Sequence, residues 1–493
     1  MGAIMCKQKY MLKSLLLFVL SFVIAFTFIA FPTTKALACS EETHSNISYN
    51  KEIYDQYSEV CDKLYSCMKN MEEKIYIGEF NLTCDVTQKL VKTVIRKHPE
   101  LYFVDATRYM EGTDGTYSYS VYPIYLYDAN TVKKMQKTFD AKVNKYLSKI
   151  DESMTDFQKA AILHDELVIN CHYYDEGAKY ITAYNAIVED KANCQGYSEA
   201  YAYLLSLAGI KTEIVESSAM FHMWNKVCID GEYYNVDLTW DDPMPNKEGH
   251  VGHKFFLLSD EAICSGEDEI AEHYGFDYAY FKSDSKKYDK CKYRYINTKF
   301  CFVDDSCYYI DNTYNVKNEE FLVKYDYVND ASQVVESFGY RWRSSPSSYW
   351  RGGFMSLDEN AGLLYFNSDK EIYTYDVDTH EIKRYSNENL FDGNCYGMRI
   401  IDNKVYALIG ENPNVEGELE LVGDCVEVQK TNLVMGDLTS DGVMSIIDVT
   451  YVQKYSAGLI SLSKEQLSVA DYNNDGYISV MDATLMQKTI AGL

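Results

Sequence analysis

Basic side chains are scarce in this chain, with 47 Lys and Arg set against 74 Asp and Glu and a formal net charge of −27. No run of Lys or Arg forms a stripe, and such a surface repels phosphate backbones, so nucleic acid is not an expected partner. A P-loop and a complete G-x-G-x-x-G pattern are both missing, which leaves nucleotide chemistry without support. A compact cysteine framework is missing too. Of fourteen cysteines, setting aside Cys6, Cys39 and Cys194 leaves an odd eleven. Most sit in apolar or aromatic runs such as Val60-Cys61 and Cys301-Phe302-Val303, where free buried thiols fit at least as well as disulfides. No paired-carboxylate site of the kind that cleaves glycosidic bonds is identifiable. What is present is an ordinary globular balance, 47% hydrophobic and 25% charged, which excludes a wholly disordered chain. The 493 residues correspond to roughly three domains, and the 46 tyrosines fit β-rich surfaces.

The first segment reads as an export signal, residues 1–38. Lys7, Lys9 and Lys13 precede an uncharged apolar stretch from Ser14 to Phe31, and Ala36-Leu37-Ala38 offers small residues for cleavage. The length of the stretch leaves an uncleaved membrane anchor as the alternative, and Cys39 after Ala38 resembles a weak lipobox. The expected location is extracellular.

Residues 39–150 read as an α+β region without visible chemistry. Ile53, Tyr57, Val60, Leu64, Met68 and Met71 recur at helical spacing. A second helix follows Asp85 and ends before Pro99, a strand covers Tyr117 to Tyr127, and a helix carries Val132, Met135, Phe139, Val143 and Leu147. Residues 151–285 open with a capping box, Thr155 and Gln158. From 286 to 430 short strands such as Leu363–Phe366, Ile372–Tyr375 and Ile382–Tyr385 alternate with polar turns. They look like propeller blades, in a stretch too short for a typical complete propeller.

The chemistry gathers around Cys194. A helix burying Tyr197, Tyr201, Leu204 and Ala208 follows it, with Gly209 as its C-cap. Cys194 therefore stands at a helix amino end, where the dipole and free N–H groups favour the reactive thiolate. The bland alternative for that feature alone is a small residue near a helix start. A strand over Lys211–Glu216 comes next. Asp230-Gly231 then joins Phe221–Ile229 to Glu232–Leu238 as a type I′ hairpin. In that register Trp224 faces Asp237, and alternation puts His222 on the same face. His222 and Asp237 become diagonal neighbours within hydrogen-bonding reach. A helix-terminal Cys with His and Asp on adjacent strands is a nucleophile, base and orienter.

Asn193-Cys194-Gln195-Gly196-Tyr197, His222-Met223-Trp224-Asn225 and Tyr234-Asn235-Val236-Asp237-Leu238-Thr239-Trp240-Asp241-Asp242-Pro243 resemble the bacterial transglutaminase-like superfamily. The resemblance covers about residues 150–245. It implies a papain-like core with Cys194 as nucleophile, His222 as base and Asp237 as orienter. The family includes amide-joining acyl transferases, peptidases and inactive members, and its chemistry runs through a thioester. The Cys194 N–H is the expected oxyanion donor, with Gln195 as the candidate for the second.

The carboxyl terminus repeats itself. Asp437-Leu438-Thr439-Ser440-Asp441-Gly442 recurs 34 residues on as Asp471-Tyr472-Asn473-Asn474-Asp475-Gly476. The loops follow the EF-hand ligand order: Asp437, Thr439, Asp441, the Val443 carbonyl, Ser445 and Asp448, then Asp471, Asn473, Asp475, the Tyr477 carbonyl, Ser479 and Asp482. Gly442 and Gly476 take the sharp-turn position. Position twelve is Asp where EF-hands carry a bidentate Glu. Residues 436–493 resemble a type I dockerin, which implies two calcium ions and a cohesin domain of a scaffold as partner. Ile446 and Ile447, with Val480 and Met481 in the second copy, stand where the family chooses its cohesin.

The expected architecture is α+β: a papain-like, transglutaminase-like core, a β-rich region resembling propeller blades, and a small all-α, calcium-binding dockerin. The expected function is a secreted, cellulosome-associated cysteine enzyme acting on peptide or protein amide bonds, with no cofactor for catalysis. Peptide hydrolysis is slightly favoured over cross-linking, since water is abundant outside the cell. The alternatives are a catalytically inactive binding module and an accessory protein of polysaccharide degradation.

Overall fold

The computed structural model describes residues 51–493, apart from 177–180, 245, 267–271, 277–280, 304–305, 312–318, 346–347, 352, 387–389, 392, 411–418, 427–433, 440–441, 461, 463 and 493. The expected export segment, Cys39 and the loop ligand Asp441 lie outside the described residues.

Apolar spacing and caps set the first helices. Lys51–Gln56 (α1) leads into Ser58–Lys69 (α2), which buries Val60, Cys61, Leu64 and Met68. Ile75–Tyr76 (β1) follows. The Thr83 hydroxyl caps Cys84–Lys97 (α3), and Pro99 stops it by disfavouring helical backbone at His98. Val104–Thr113 (β2) and Ser118–Tyr125 (β3) pair antiparallel, with β3 central against β1. Asp128 caps Ala129–Leu147 (α4). The Thr155–Gln158 capping box forms as expected and opens Asp156–Asn170 (α5).

The next elements carry the site. His172–Tyr173 (β4) pairs in parallel with Lys191–Ala192 (β5), and Ala183–Val188 (α6) lies between them in the chain. Cys194–Leu207 (α7) buries Tyr197, Tyr201, Leu204 and Leu205. Burying each of those leucines stabilises the fold by about 1.5–3 kcal/mol. Ala208 ends the helix, and Gly209 follows at φ +82°, a left-handed position that suits glycine. Thr212–Ser217 (β6), His222–Ile229 (β7) and Glu232–Val236 (β8) form an antiparallel sheet in that order. Positive φ at Asp230 and Gly231 makes the expected hairpin turn. Short helices Leu238–Asp241 (α8) and Asp260–Cys264 (α9) follow.

One apolar cluster runs from Tyr54 to Tyr325, joining α2 and α3 to α5, α7 and the first β-rich strands. Those strands are Cys301–Val303 (β9), Ser306–Asp311 (β10), Glu320–Asp326 (β11) and Ala331–Phe338 (β12), a four-stranded antiparallel meander. The hairpin Arg341–Ser345 (β13) and Ser348–Arg351 (β14) comes next. A second meander has Leu357–Asn360 (β15), Leu363–Asn367 (β16), Ile372–Asp376 (β17) and Ile382–Arg384 (β18). Asn394–Ile401 (β19), Lys404–Gly410 (β20) and Leu419–Asp424 (β21) close the region as a three-stranded sheet. The blade-like meanders are present, but no propeller is seen among the described residues. Lys299, half-buried between Glu166 at 2.9 Å and Asp358 at 2.6 Å, ties the region to α5.

The terminal module has its own core of Leu438, Val449, Val452, Leu462, Val469, Ala470, Ala483 and Met486. Its helices are Ile446–Ser456 (α10), Lys464–Ala470 (α11) and Val480–Ile490 (α12). Among the described residues no helix is long and apolar enough to cross a membrane.

Candidate active site

Asn193 builds the amino end of α7. Its side-chain oxygen accepts the N–H groups of Gln195 at 3.1 Å and Gly196 at 3.3 Å. Cys194, the first helical residue, is half-buried. The other cysteines differ in kind. Burial pushes the thiols of Cys61 and Cys395 up to about 12 and those of Cys291 and Cys425 to about 11. All twelve described cysteines are free.

The β7–β8 register pairs Asn225 with Val236, as the hairpin arithmetic requires. Pairing stops there, and Asp237 caps α8 instead of continuing the strand. Its Oδ1 accepts from Thr239 N at 3.0 Å and Trp240 N at 3.3 Å. Its Oδ2 lies 2.7 Å from His222 Nε2. Cys194 lies near enough to the same imidazole to help raise it. The structure thus brings Cys194, His222 and Asp237 together. Burial alone would push the His222 imidazole down. The Asp237 charge and hydrogen bond, with Cys194, outweigh that and push it up to about 10. Burial likewise works against the Asp237 carboxylate, yet His222 and His273 hold it well below the usual range.

Several contributors carry no local signal in the sequence. His273, in the loop after α9, places Nε2 2.9 Å from Asp237 Oδ2. The Trp240 indole N–H is directed at His222 Nε2 at 3.0 Å, and the two rings meet edge-on. Tyr173 lies near Cys194 and Asp237, and burial together with those charges raises its phenol. Asp242 Oδ2 accepts from Tyr173 N at 2.9 Å and the Tyr197 hydroxyl at 3.0 Å, joining β4 to α7. Gln195, the guess for the second oxyanion donor, gives its amide to Glu199 at 2.8 Å, along the helix.

A second buried cluster supports α8 from beneath. His164 spans Asp165 at 2.8 Å and Asp241 at 3.2 Å, and His253 reaches Asp165 at 2.9 Å. Phe300 N donates to Asp165 Oδ2 at 2.7 Å, so strand β9 is tied in as well. Burial opposes charge on His164, but Asp165 and Asp241 push it up to about 9. Burial also opposes charge on Asp165, which His253 and His164 nevertheless hold down near about 2. The sets His164–Asp165–His253 and His222–Asp237–His273 are of metal-ligand type, each with its atoms within 4.8 Å. Two ligands on one tetrahedral zinc stand roughly 3.3 Å apart. The 2.7–2.9 Å contacts on Asp165 and Asp237 are shorter and match direct hydrogen bonds.

The terminal repeat folds as two matching loop–helix units. Gly442 N donates to Asp437 Oδ2 at 2.7 Å, and Gly476 N to Asp471 Oδ2 at 2.8 Å. Asp448 and Asp482 are fully buried, and each closes a capping box with Ser445 or Ser479. Asn473 and Asp475 bond one another at the exposed rim of the second loop. Among the described residues no ion pair with Lys or Arg reaches Asp448 or Asp482. Buried carboxylates gathered in a loop of oxygen donors fit a hard cation. Ile446, Ile447, Val480 and Met481 are all exposed.

A cysteine, a histidine and an aspartate are thus held together by a helix start, a strand and a helix cap. Residues 144–238 match the family model of the Transglutaminase-like superfamily, and residues 435–491 that of the Dockerin type I domain. The chain therefore carries a transglutaminase-like core and a carboxyl-terminal type I dockerin. No curated protein matches. Among solved structures, one described as a TGase is similar at 12% identity and TM-score 0.20, covering 29% of this chain and 47% of its own. A provisionally assigned cysteine protease of Cytophaga hutchinsonii shows 16% identity and TM-score 0.18, with 27% and 54% covered. A provisionally assigned protease of Parabacteroides distasonis shows 13% identity and TM-score 0.17, with 28% and 39% covered. The chain spans about half or less of these structures.

Proposed function

We propose that the protein is an extracellular cysteine enzyme that acts on peptide or protein amide bonds, with hydrolysis favoured over amine transfer. The observation that carries this reading is the Asp237 oxygen 2.7 Å from a His222 ring whose other neighbours include Cys194 at the start of α7. With Nε2 committed to Asp237, Nδ1 is the nitrogen left to take the thiol proton. The Cys194 thiolate attacks the amide carbon, and its own N–H, which Asn193 does not cap, faces the oxyanion. His222 then returns the proton to the leaving amine and a thioester remains. Water, deprotonated by His222, attacks the thioester and releases the acid; an amine in its place gives a new amide.

The catalytic unit is taken as residues 151–285, after a 39–150 region and before a β-rich 286–430 region. Residues 436–493 attach the enzyme to a cohesin through Ile446-Ile447 or Val480-Met481. Two calcium ions fit the module. Asp437, Thr439, Asp441, Val443, Ser445 and Asp448 would hold one; Asp471, Asn473, Asp475, Tyr477, Ser479 and Asp482 would hold the other. The ions supply the positive charge that lets those acids share a loop.

The test is incubation of the full-length protein with a mixed peptide library, with and without an added amine. New carboxyl termini in water, absent in Cys194→Ser, are the expected products. Products appearing only with the amine would assign a transferase. No product in either arm would favour the inactive binding module.

A further inference from the structure

We infer that His273 is a second imidazole donor to Asp237 and serves as a positioning residue for the Cys194–His222 pair. The inference rests on the acyl-transfer reading above. Asp237 Oδ2 lies 2.7 Å from His222 Nε2 and 2.9 Å from His273 Nε2. A carboxylate oxygen has room for two donors, so both rings present Nε2–H to it. That commits Nε2 to Asp237 and leaves Nδ1 as the nitrogen that takes and holds the Cys194 proton in a thiolate–imidazolium pair. His273 needs no charge for its part, since a neutral ring with Nε2–H suffices. Oδ1 is already held by Thr239 N and Trp240 N. His273 gives Oδ2 a second donor beside His222, so the carboxylate is held in line with His222 from two directions.

The loop is shaped to deliver this ring. His273 N donates to Ile263 O at 3.0 Å. The Ser217 hydroxyl donates to Tyr274 O at 2.6 Å, and Tyr274 N lies 3.2 Å from Met220 Sδ. Gly275 has φ +71°, and a Cβ there would sit 2.6 Å from Ala219 Cβ, so the chain passes where only glycine fits. The fully buried ring packs against Trp224, Trp240 and Phe255. Its titratable neighbours include Asp237 and His222. An apolar side chain would fill such a pocket more cheaply, because a buried imidazole costs stability unless it is hydrogen-bonded.

The experiment compares the full-length protein with His273→Ala and His273→Gln. It reads the pH profile of Cys194 labelling by iodoacetamide, the imidazole N–H signals downfield of the amides in proton NMR, and thermal melting. The wild type is expected to show two protected imidazole N–H signals that belong to His222 and His273. His273→Ala should lose one and slow labelling about tenfold to a hundredfold, with a displaced pH profile. His273→Gln keeps a neutral N–H donor and should return the rate to within about threefold of wild type. A merely structural His273 would lower the melting temperature in both variants and leave rate and profile unmoved, which overturns the inference. A Gln variant as slow as Ala overturns it too. Should the Ala variant fail to fold, a wild type without the His273 signal overturns it. If wild-type Cys194 reacts no faster than Cys84, the acyl-transfer reading fails, while the paired imidazole signals still decide the His273 bond.

Discussion

Asp237 has two tasks, and each uses a different oxygen. Oδ1 caps α8 and Oδ2 faces the two imidazoles. Asp237→Asn keeps an oxygen for the cap but puts an N–H donor, or a weaker acceptor, opposite His222 Nε2. The fold should persist while turnover falls by roughly 10³–10⁴-fold, because the wrong tautomer disables the base. Unchanged turnover on any active substrate would remove Asp237 from the mechanism. The same pair has a pH signature in stability. His222 is raised from 6.5 to about 10, so its contribution is complete below 6.5 and disappears as pH climbs through about 10. Asp237 is depressed from 3.8, so its contribution is present above 3.8 and is lost at lower pH. The two windows overlap between about pH 4 and 6.5, where the pair stabilises the fold most.

At the scale of elements, the parts legible in the sequence are those set by local rules. The Thr155–Gln158 box, the Asp230-Gly231 turn and the start of α7 at Cys194 all form where the residues place them. The turn fixes the hairpin register as far as the Asn225–Val236 pair, and beyond it Asp237 meets His222 as the cap of α8. The departure at Asp237 is also local: its carboxylate finds the free N–H groups of Thr239 and Trp240, and capping wins over one more strand pair. The parts that were not legible meet only in three dimensions. His273 arrives from a loop after α9, and His164, Asp165, Asp241 and His253 come from three separate segments. Nothing in the spacing of those residues signals a shared cluster. In the β-rich region the strands were readable from alternation, but their assembly into separate meanders depends on long-range packing.

At the scale of the whole molecule, the proposed calcium-dependent anchor lies outside the core, whose proposed chemistry needs no ion. The terminal loops gather six aspartates, and before calcium binds their repulsion disfavours the closed form. Chelator added to the full chain should reduce helicity from α10 and α12 and abolish cohesin capture, leaving Cys194 labelling nearly unchanged. Asp441→Ala combined with Asp475→Ala should reproduce that result, and capture that persists in excess chelator would contradict it. The central claim is that Cys194 is the nucleophile. It is tested most directly by brief iodoacetamide treatment of the whole chain, followed by intact mass and peptide mapping. A single fast adduct at Cys194 is expected, slowed in His222→Ala, while the thiols that burial pushes up, such as Cys61 and Cys395, stay unmodified. Labelling of Cys194 no faster than of Cys228, or at an unaltered rate in His222→Ala, would contradict it.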